Sequence, residues 1–270
     1  MGRLGSDESA PVVVSRRSSL EKAPWRDALA VENQVEAEFL RPILLGESIL
    51  PYRLLRSFEG VIPVAGTRVL NSSAADKLGY EKLAAWMAKA EAIWEELSSS
   101  GTMTLLERWN YQRGLSNQLP IGPLRVVYAA SGTLPAAVVL RDDEAIIEHI
   151  LYWATADSEE EAHYLAAILN SEAGRARAEQ FQARGQFGAR HFDKVIFNLS
   201  IPRFNAKNPL HRALSNAGER AEAAAKLVDL VHSEKFQRAR KRVRDALTEH
   251  GIAPEIDELV EKLLDGVVAD

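Results

Sequence analysis

The sequence predicts an α+β chain, a β-rich region with packed helices followed by a helical C-terminal region. Three observations carry this. Residues 25–69 hold short apolar runs broken by Pro and Gly, with no helical period lasting beyond a turn or two. Two β-like runs, 125–129 and 136–140, flank a Ser131-Gly132-Thr133 turn and predict a hairpin. From Asn208 to Asp265 the pattern is almost wholly helical, with a turn around Gly251–Pro254. The resulting division is a flexible N-terminal tail over 1–24, an α+β domain over 25–207 and a helical region over 208–270.

Within the tail, Val12–Val14 is a candidate edge strand. The span 71–97 predicts a helix, because Leu83, Trp86, Met87, Ala90, Ile93, Trp94 and Leu97 step by three and four. Its two tryptophans belong to a core face, since such a stripe is the ordinary signature of a helix packed on a core. Leu105–Trp109 predicts a helical turn, followed by a loop broken at Gly114, Pro120, Gly122 and Pro123. Ile146–Tyr152 is a third β-like run.

The stretch Ser158–Phe204 organises the rest. Ser158 and Glu161 have the spacing of a capping box, and Glu159, Glu160 and Glu161 oppose the positive end of a helix dipole. That structural role accounts for these acids without catalysis. Leu165, Ile168 and Leu169 supply a buried face, and Asn170-Ser171 breaks the helix. A second helix is expected to run to about Arg184, then a strand from Lys194 to Leu199 closed by Pro202. Asn208-Pro209 has the form of an N-cap and first helical residue. The six bases between Lys235 and Arg244 predict a solvated helix face.

Composition narrows the function classes. There is no cysteine, which excludes disulfides and thiolate metal sites. No apolar run approaches the roughly 20 residues that cross a bilayer, and the first residues lack the apolar centre of a secretion signal, so a cytoplasmic, membrane-free protein is expected. The net charge of −5 argues against indiscriminate polyanion binding. Charge is nevertheless uneven. Residues 142–161 hold eight acids and no Lys or Arg, whereas 173–212 hold eight bases against two acids. Such asymmetry orients one face toward phosphate.

Catalytic motifs are missing from the sequence. The histidines (149, 163, 191, 211, 232 and 250) include no HExxH pair, and no GxSxG, Walker or GxGxxG pattern occurs. Gly185 and Gly188 lie between a predicted helix and a predicted strand, the wrong setting for a phosphate-cradling turn into a helix. No autonomous catalysis and no metal are expected.

Five segments, in this order, resemble the C-terminal target-recognition region of restriction–modification N6-adenine DNA methyltransferases. They are VEAEFLRPILLGESILPYRLL, LRVVYAASGTLPAAVVL, EAHYLAAILNSEAGR, GQFGARHFDK and FNLSIPRFN. The resemblance covers roughly residues 30–215. The family's glycine motif for S-adenosylmethionine and its Asn/Asp-Pro-Pro-aromatic motif are absent, since Asn208-Pro209-Leu210 has one proline and no aromatic. The segment Leu44–Ile49 also lacks the basic residues seen at that place in relatives.

The resemblance implies a module that grips duplex DNA beside a methyltransferase catalytic domain or subunit. Base flipping, methyl transfer and S-adenosylmethionine would belong to that separate part, leaving no cofactor in this chain. On chemistry and placement, the candidate base readers are Asn110, Tyr111, Arg113, Asn117 and Gln118. Arg184, Arg190, Lys194 and Arg203 are candidate phosphate contacts, with Gly185 and Gly188 allowing the backbone to approach DNA. The competing expectation is a helical protein-interaction scaffold that assembles with a methyltransferase, motivated by the helices after Asn208.

Overall fold

A computed structural model describes residues 2–4, 9–16, 21–98, 101–129, 136–179, 184–185, 188–189, 199–231 and 234–268. The fold is α+β, with several small antiparallel sheets and eight helices among the described residues. It divides into two compact units. The first takes in Met1–Ile43, Phe58–Ile121 and Glu144–Ile146; the second takes in Leu44–Ser57, Gly122–Asp143 and Ile147–Asp270.

In the first unit, Val12–Val14 is the middle strand of an antiparallel sheet, between Gly2–Leu4 and Glu32–Gln34. This corrects the expectation of an edge strand in a tail. Val13 is fully buried among Val31, Val35, Phe39, Leu83 and Met87, so this short segment carries core as well as pairing. A second pair joins Leu40–Leu44 to Phe58–Val61, with Leu40 opposite Val61 and Ile43 opposite Phe58.

The predicted helix over 71–97 is two helices. Helix α1 (Ser72–Lys77) is capped by the Asn71 side chain, which accepts from the Ala74 N–H at 2.8 Å. Gly79, at φ +84°, then turns the chain into helix α2 (Glu81–Leu97), a conformation that costs glycine little. The Glu36 carboxylate caps α2 from outside, accepting from Lys82 N and Leu83 N. The apolar stripe faces the core as expected: Leu83, Ala84, Trp86, Met87 and Ala90 are buried. Trp94 stacks on Trp25 with ring centroids 5.3 Å apart and donates from Nε1 to the Met103 carbonyl. Helix α3 (Leu105–Trp109) opens on a capping box between Thr104 and Glu107.

The second unit is built on a three-stranded antiparallel sheet with Leu124–Ala129 in the middle, flanked by Ala136–Arg141 and Leu151–Thr155. The two runs pair as the sequence predicts, while the Ser131-Gly132-Thr133 turn expected between them lies outside the described residues. The run expected at 146–152 is instead a short strand at Ile146–Ile147 and a separate one at Leu151–Thr155.

Helix α4 (Glu159–Asn170) packs on this sheet, and helix α5 (Glu172–Glu179) follows it directly. Ser158 caps α4 through Glu161 N. The Glu161 carboxylate, however, accepts from Asp157 N at 2.7 Å, one residue earlier than a capping box requires. Asn170 ends α4 by turning its amide onto the sheet: Oδ1 accepts from Ala137 N, and Nδ2 donates to the Ala137 and Ala166 carbonyls. Helix α5 is described over Glu172–Glu179, positions 180–183 lie outside the described residues, and Arg184 belongs to a short strand. The strand predicted at Lys194–Leu199 lies outside the described residues up to position 198.

Helices α6 (Pro209–Leu227), α7 (Phe236–Glu249) and α8 (Ile252–Val268) complete the unit. Asn208 caps α6, accepting from Leu210 N at 2.8 Å. The helices after Asn208 share one buried cluster with the sheet: Leu214, Ala217, Ala221, Val243 and Val260 lie with Val126, Tyr128 and Ile168. The core therefore runs through position 207/208 without a break.

The basic run of α7 is not simply a solvated face. Arg240 is 5% exposed, donates to the Ile49 and Gly46 carbonyls at 2.8 Å and lies 5.1 Å from the Phe236 ring. Arg244 is largely buried and donates to Glu172. Arg240 thereby satisfies carbonyls that would otherwise be buried unpaired.

Helices α4 and α6 meet at close range. A Cβ on Gly218 would stand 2.4 Å from the His163 carbonyl oxygen and 3.0 Å from its carbonyl carbon, both rigid backbone atoms. Gly218→Ala is expected to force the helices apart and cost about 1–3 kcal/mol, read as a lower midpoint in urea unfolding with an unchanged slope.

Candidate nucleic-acid interface

The site in the first unit begins at the end of α3. Asn110 leaves the helix and the chain makes 3-10 turns at Tyr111–Arg113 and Ser116–Gln118. Gln112 and Arg113 both adopt positive φ, 50° and 62°. This conformation costs a residue with a Cβ about 1 kcal/mol or more, so two in succession need outside support. Asn110 provides it by accepting from Ser116 N at 2.9 Å, and Gln118 by donating to the Gly114 carbonyl at 3.0 Å.

These bonds sort the five base readers proposed from sequence. Tyr111, Arg113 and Asn117 are exposed. Asn110 spends its side-chain oxygen inside the loop, and Gln118 is only 4% exposed. Those two brace the loop, and Asn110 also lines the cleft beside it. Two residues outside that group join the exposed three. Gln112 is exposed, and the Arg108 guanidinium lies 5.9 Å from the Tyr111 ring centroid. The helical spacing of 108 and 111 was the signal for the second of these.

Between this loop and Thr67–Val69 lies an open cleft of about 410 Å³, walled by Val69, Leu106 and Tyr111. Glu107 also lines it, with its carboxylate accepting from Thr104 N and Oγ1. The Thr104 backbone hydrogen bond holds that carboxyl below its ordinary pKa, so it stays ionised.

The basic segment belongs to the second unit. Of its bases, Arg175 pairs with Glu172 and Glu179, and Arg177 pairs with Asp265. Arg203, Lys207 and Arg212 are exposed and make no ion pair among the described residues. They surround the start of α6, where Tyr164 stacks on His211 at 4.9 Å and donates to the Pro202 carbonyl. Asn205 N donates to His211 Nδ1 at 3.0 Å, and Phe204 packs 5.5 Å from Tyr164. Arg203 thus projects from a segment pinned by its neighbours. Arg184–Gly185 and Gly188–Ala189 pair as a short antiparallel hairpin, with Gly185 opposite Gly188. Arg190 and Lys194 lie outside the described residues.

One network of charged side chains in the second unit is structural. Arg141 donates to Glu159 and Glu222, and Glu222 also meets His163 Nε2 at 2.7 Å and Lys226 Nζ at 2.7 Å. The network ties the edge strand to α4 and α6. A cleft of about 250 Å³ beside Tyr52 is lined by Asn170, Glu172, Arg244 and Asp257. These groups hydrogen-bond within the fold: Asp257, for example, accepts from Ala173 N. Among the described residues no cluster of three or more His, Asp and Glu side chains could hold a metal ion. Among them, too, no helix is long and apolar enough to cross a membrane.

Burial opposes ionisation of Glu222, but hydrogen bonds from His163, Arg141 and Lys226 outweigh it and hold its carboxyl well below the ordinary value of 4.5. A carboxyl lowered on folding stabilises the protein fully above its unfolded pKa, and that stabilisation fades as pH falls from about 4.5 toward the folded value. Glu222→Gln is expected to cost about 2 kcal/mol at neutral pH. Urea unfolding from pH 7 to pH 3 should show the gap between variant and wild type narrowing with acid.

No protein-family model matches this chain, and no curated protein matches it.

Proposed function

We propose that the chain is a duplex-DNA target-recognition module of the kind that N6-adenine DNA methyltransferases carry. Methyl transfer and S-adenosylmethionine would belong to a separate catalytic segment or subunit. The observation that carries this reading is the loop after α3. It displays Tyr111, Gln112, Arg113 and Asn117, while Asn110 and Gln118 hold its backbone in a costly conformation. A loop that is both polar and pre-shaped suits recognition, because little ordering remains to be done on binding. The order of the five sequence segments supports the same reading. So do Arg203, Lys207 and Arg212, exposed cations suited to phosphate.

A second reading, assembly with a methyltransferase subunit, is favoured by Leu227 and Val231. They are 86% and 60% exposed, Leu227 at the end of α6 and Val231 after it. Co-purification with such a subunit in the absence of DNA would support it, and the two readings are compatible.

Titration of labelled random-sequence duplex at two salt concentrations tests the first reading. Affinity should fall steeply with salt. Arg113→Ala and Arg203→Ala should each weaken binding and reduce the slope of log K against log salt by about 1. Absence of binding in dilute buffer would overturn the proposal.

A further inference from the structure

The cleft beside Tyr52, about 250 Å³ and wholly within the second unit, takes its walls from four parts of the chain. Pro51 and Tyr52, in the turn between the short strands Ile49–Leu50 and Arg53–Leu54, supply one wall. The junction of α4 and α5 supplies another through Asn170, Ser171 and Glu172. Helix α7 contributes Arg244 and Leu247, and the start of α8 contributes Ala253, Ile256 and Asp257. Tyr52, Asn170, Ser171, Leu247 and Ile256 are each at most 6% exposed, so the cleft is a recess into the core. Its volume is that of a small-molecule site, just below the roughly 300–1,000 Å³ of drug-sized ones.

Three features of this recess run against stability. Tyr52 holds its backbone at φ +57°, an unfavourable conformation for a residue with a Cβ. The Arg244 guanidinium is 15% exposed, and burial pushes its pKa down. Burial pushes the Asp257 carboxyl up, with Glu172 and Glu261 adding to the rise against the backbone N–H groups of Ala173 and Glu172. Costs of this kind gather where a site requires them.

The charges select the occupant. Arg244 is paired with Glu172 at 3.2 Å, and Glu172 is shared with Arg175. Asp257 makes no ion pair among the described residues; Arg244 acts on it from beyond that range. Its Oδ1 accepts from Ala173 N at 3.1 Å, and because a carboxylate accepts up to about four hydrogen bonds, it has capacity for a donor from outside. An anion entering here would meet two acids and compete with Glu172 for Arg244. A cation would meet Asp257, while Leu247, Ala253 and Ile256 offer apolar surface to the body that carries it.

We infer that this recess binds a small organic amine, with its ammonium on Asp257 and its apolar body against Leu247, Ala253 and Ile256. The inference is independent of the DNA-recognition reading, and neither falls with the other.

Calorimetric titration with three probes of one shape tests it. Benzylamine, benzyl alcohol and benzoate carry a cationic, a neutral and an anionic group on the same ring. Benzylamine should bind saturably and about ten-fold more tightly than benzyl alcohol, since a hydrogen bond between charged groups is the stronger. Benzoate should bind least. Asp257→Asn, which keeps an oxygen for Ala173 N and removes the charge, should bring benzylamine down to the level of benzyl alcohol. Ala253→Leu, which leaves Asp257 in place and narrows the recess, should weaken benzylamine and benzyl alcohol alike; it locates the binding even where Asp257→Asn fails to fold. Absence of saturable benzylamine binding would overturn the inference. So would benzoate binding as tightly as benzylamine, an amine preference that survives Asp257→Asn, or wild-type affinity in Ala253→Leu.

Discussion

The second unit depends on how near α4 and α6 approach each other. The distance is set by atoms that are missing: Gly218 has no Cβ where the His163 carbonyl stands, and Ala217, Ala221 and Ala225 keep the rest of the α6 face small. Small residues alone would let the helices slide. The Arg141–Glu222–His163 network fixes their register, because Glu222 sits on the same helix as Gly218 and answers to both the edge strand and α4. Asn170 then locks the far end of α4 to the sheet through Ala137. With α4 held, Tyr164 has one position, and the segment carrying Arg203 is fastened to it through Pro202 and His211. Packing of two helices thus determines where an exposed cation stands.

The first unit reaches a similar result by other means. Its core is aromatic and β-branched, with Val13, Phe39, Trp86 and Met87 in one cluster. The loop after α3 does not draw on that core directly. It is shaped by two amides, Asn110 and Gln118, whose hydrogen bonds offset the cost of Gln112 and Arg113 in the left-handed region. A loop held only by packing would lose shape where it is exposed. One held by local amide bonds keeps its shape and still leaves Tyr111 and Arg113 facing outward.

Patterns that depend on neighbours in sequence were legible. The α2 stripe, the Asn208 cap and the 125–129/136–140 hairpin all follow from spacing over a few residues. What escaped depends on distant partners. Val12–Val14 has the composition of a strand, but its middle position needs Glu32–Gln34, about twenty residues on. Gln118 and Tyr111 are both polar loop residues in sequence, and only the Gly114 carbonyl and the burial around it separate a brace from an exposed side chain. The basic run of α7 looked like a solvated surface because nothing local reveals that Gly46 and Ile49, nearly two hundred residues earlier, present carbonyls to Arg240.

That last case bears on how charge should be counted. A tally along the sequence marks 173–212 and 235–244 as basic segments of similar interest. In the fold they diverge. The second spends Arg240 and Arg244 inside, and Lys241 and Arg242 on Asp245 and Glu234. The first spends Arg175 and Arg177 on acids of α5 and α8 but leaves Arg203, Lys207 and Arg212 at the surface. An ion pair already closed within the protein has little to offer a phosphate, which would have to break it. Positive charge at the surface of this segment is therefore carried by a few displayed cations on a molecule of net charge −5. Such a protein gains little from bulk attraction. Under the proposed reading discrimination would come from shaped contacts, and in the braced loop after α3 shape and displayed chemistry coincide.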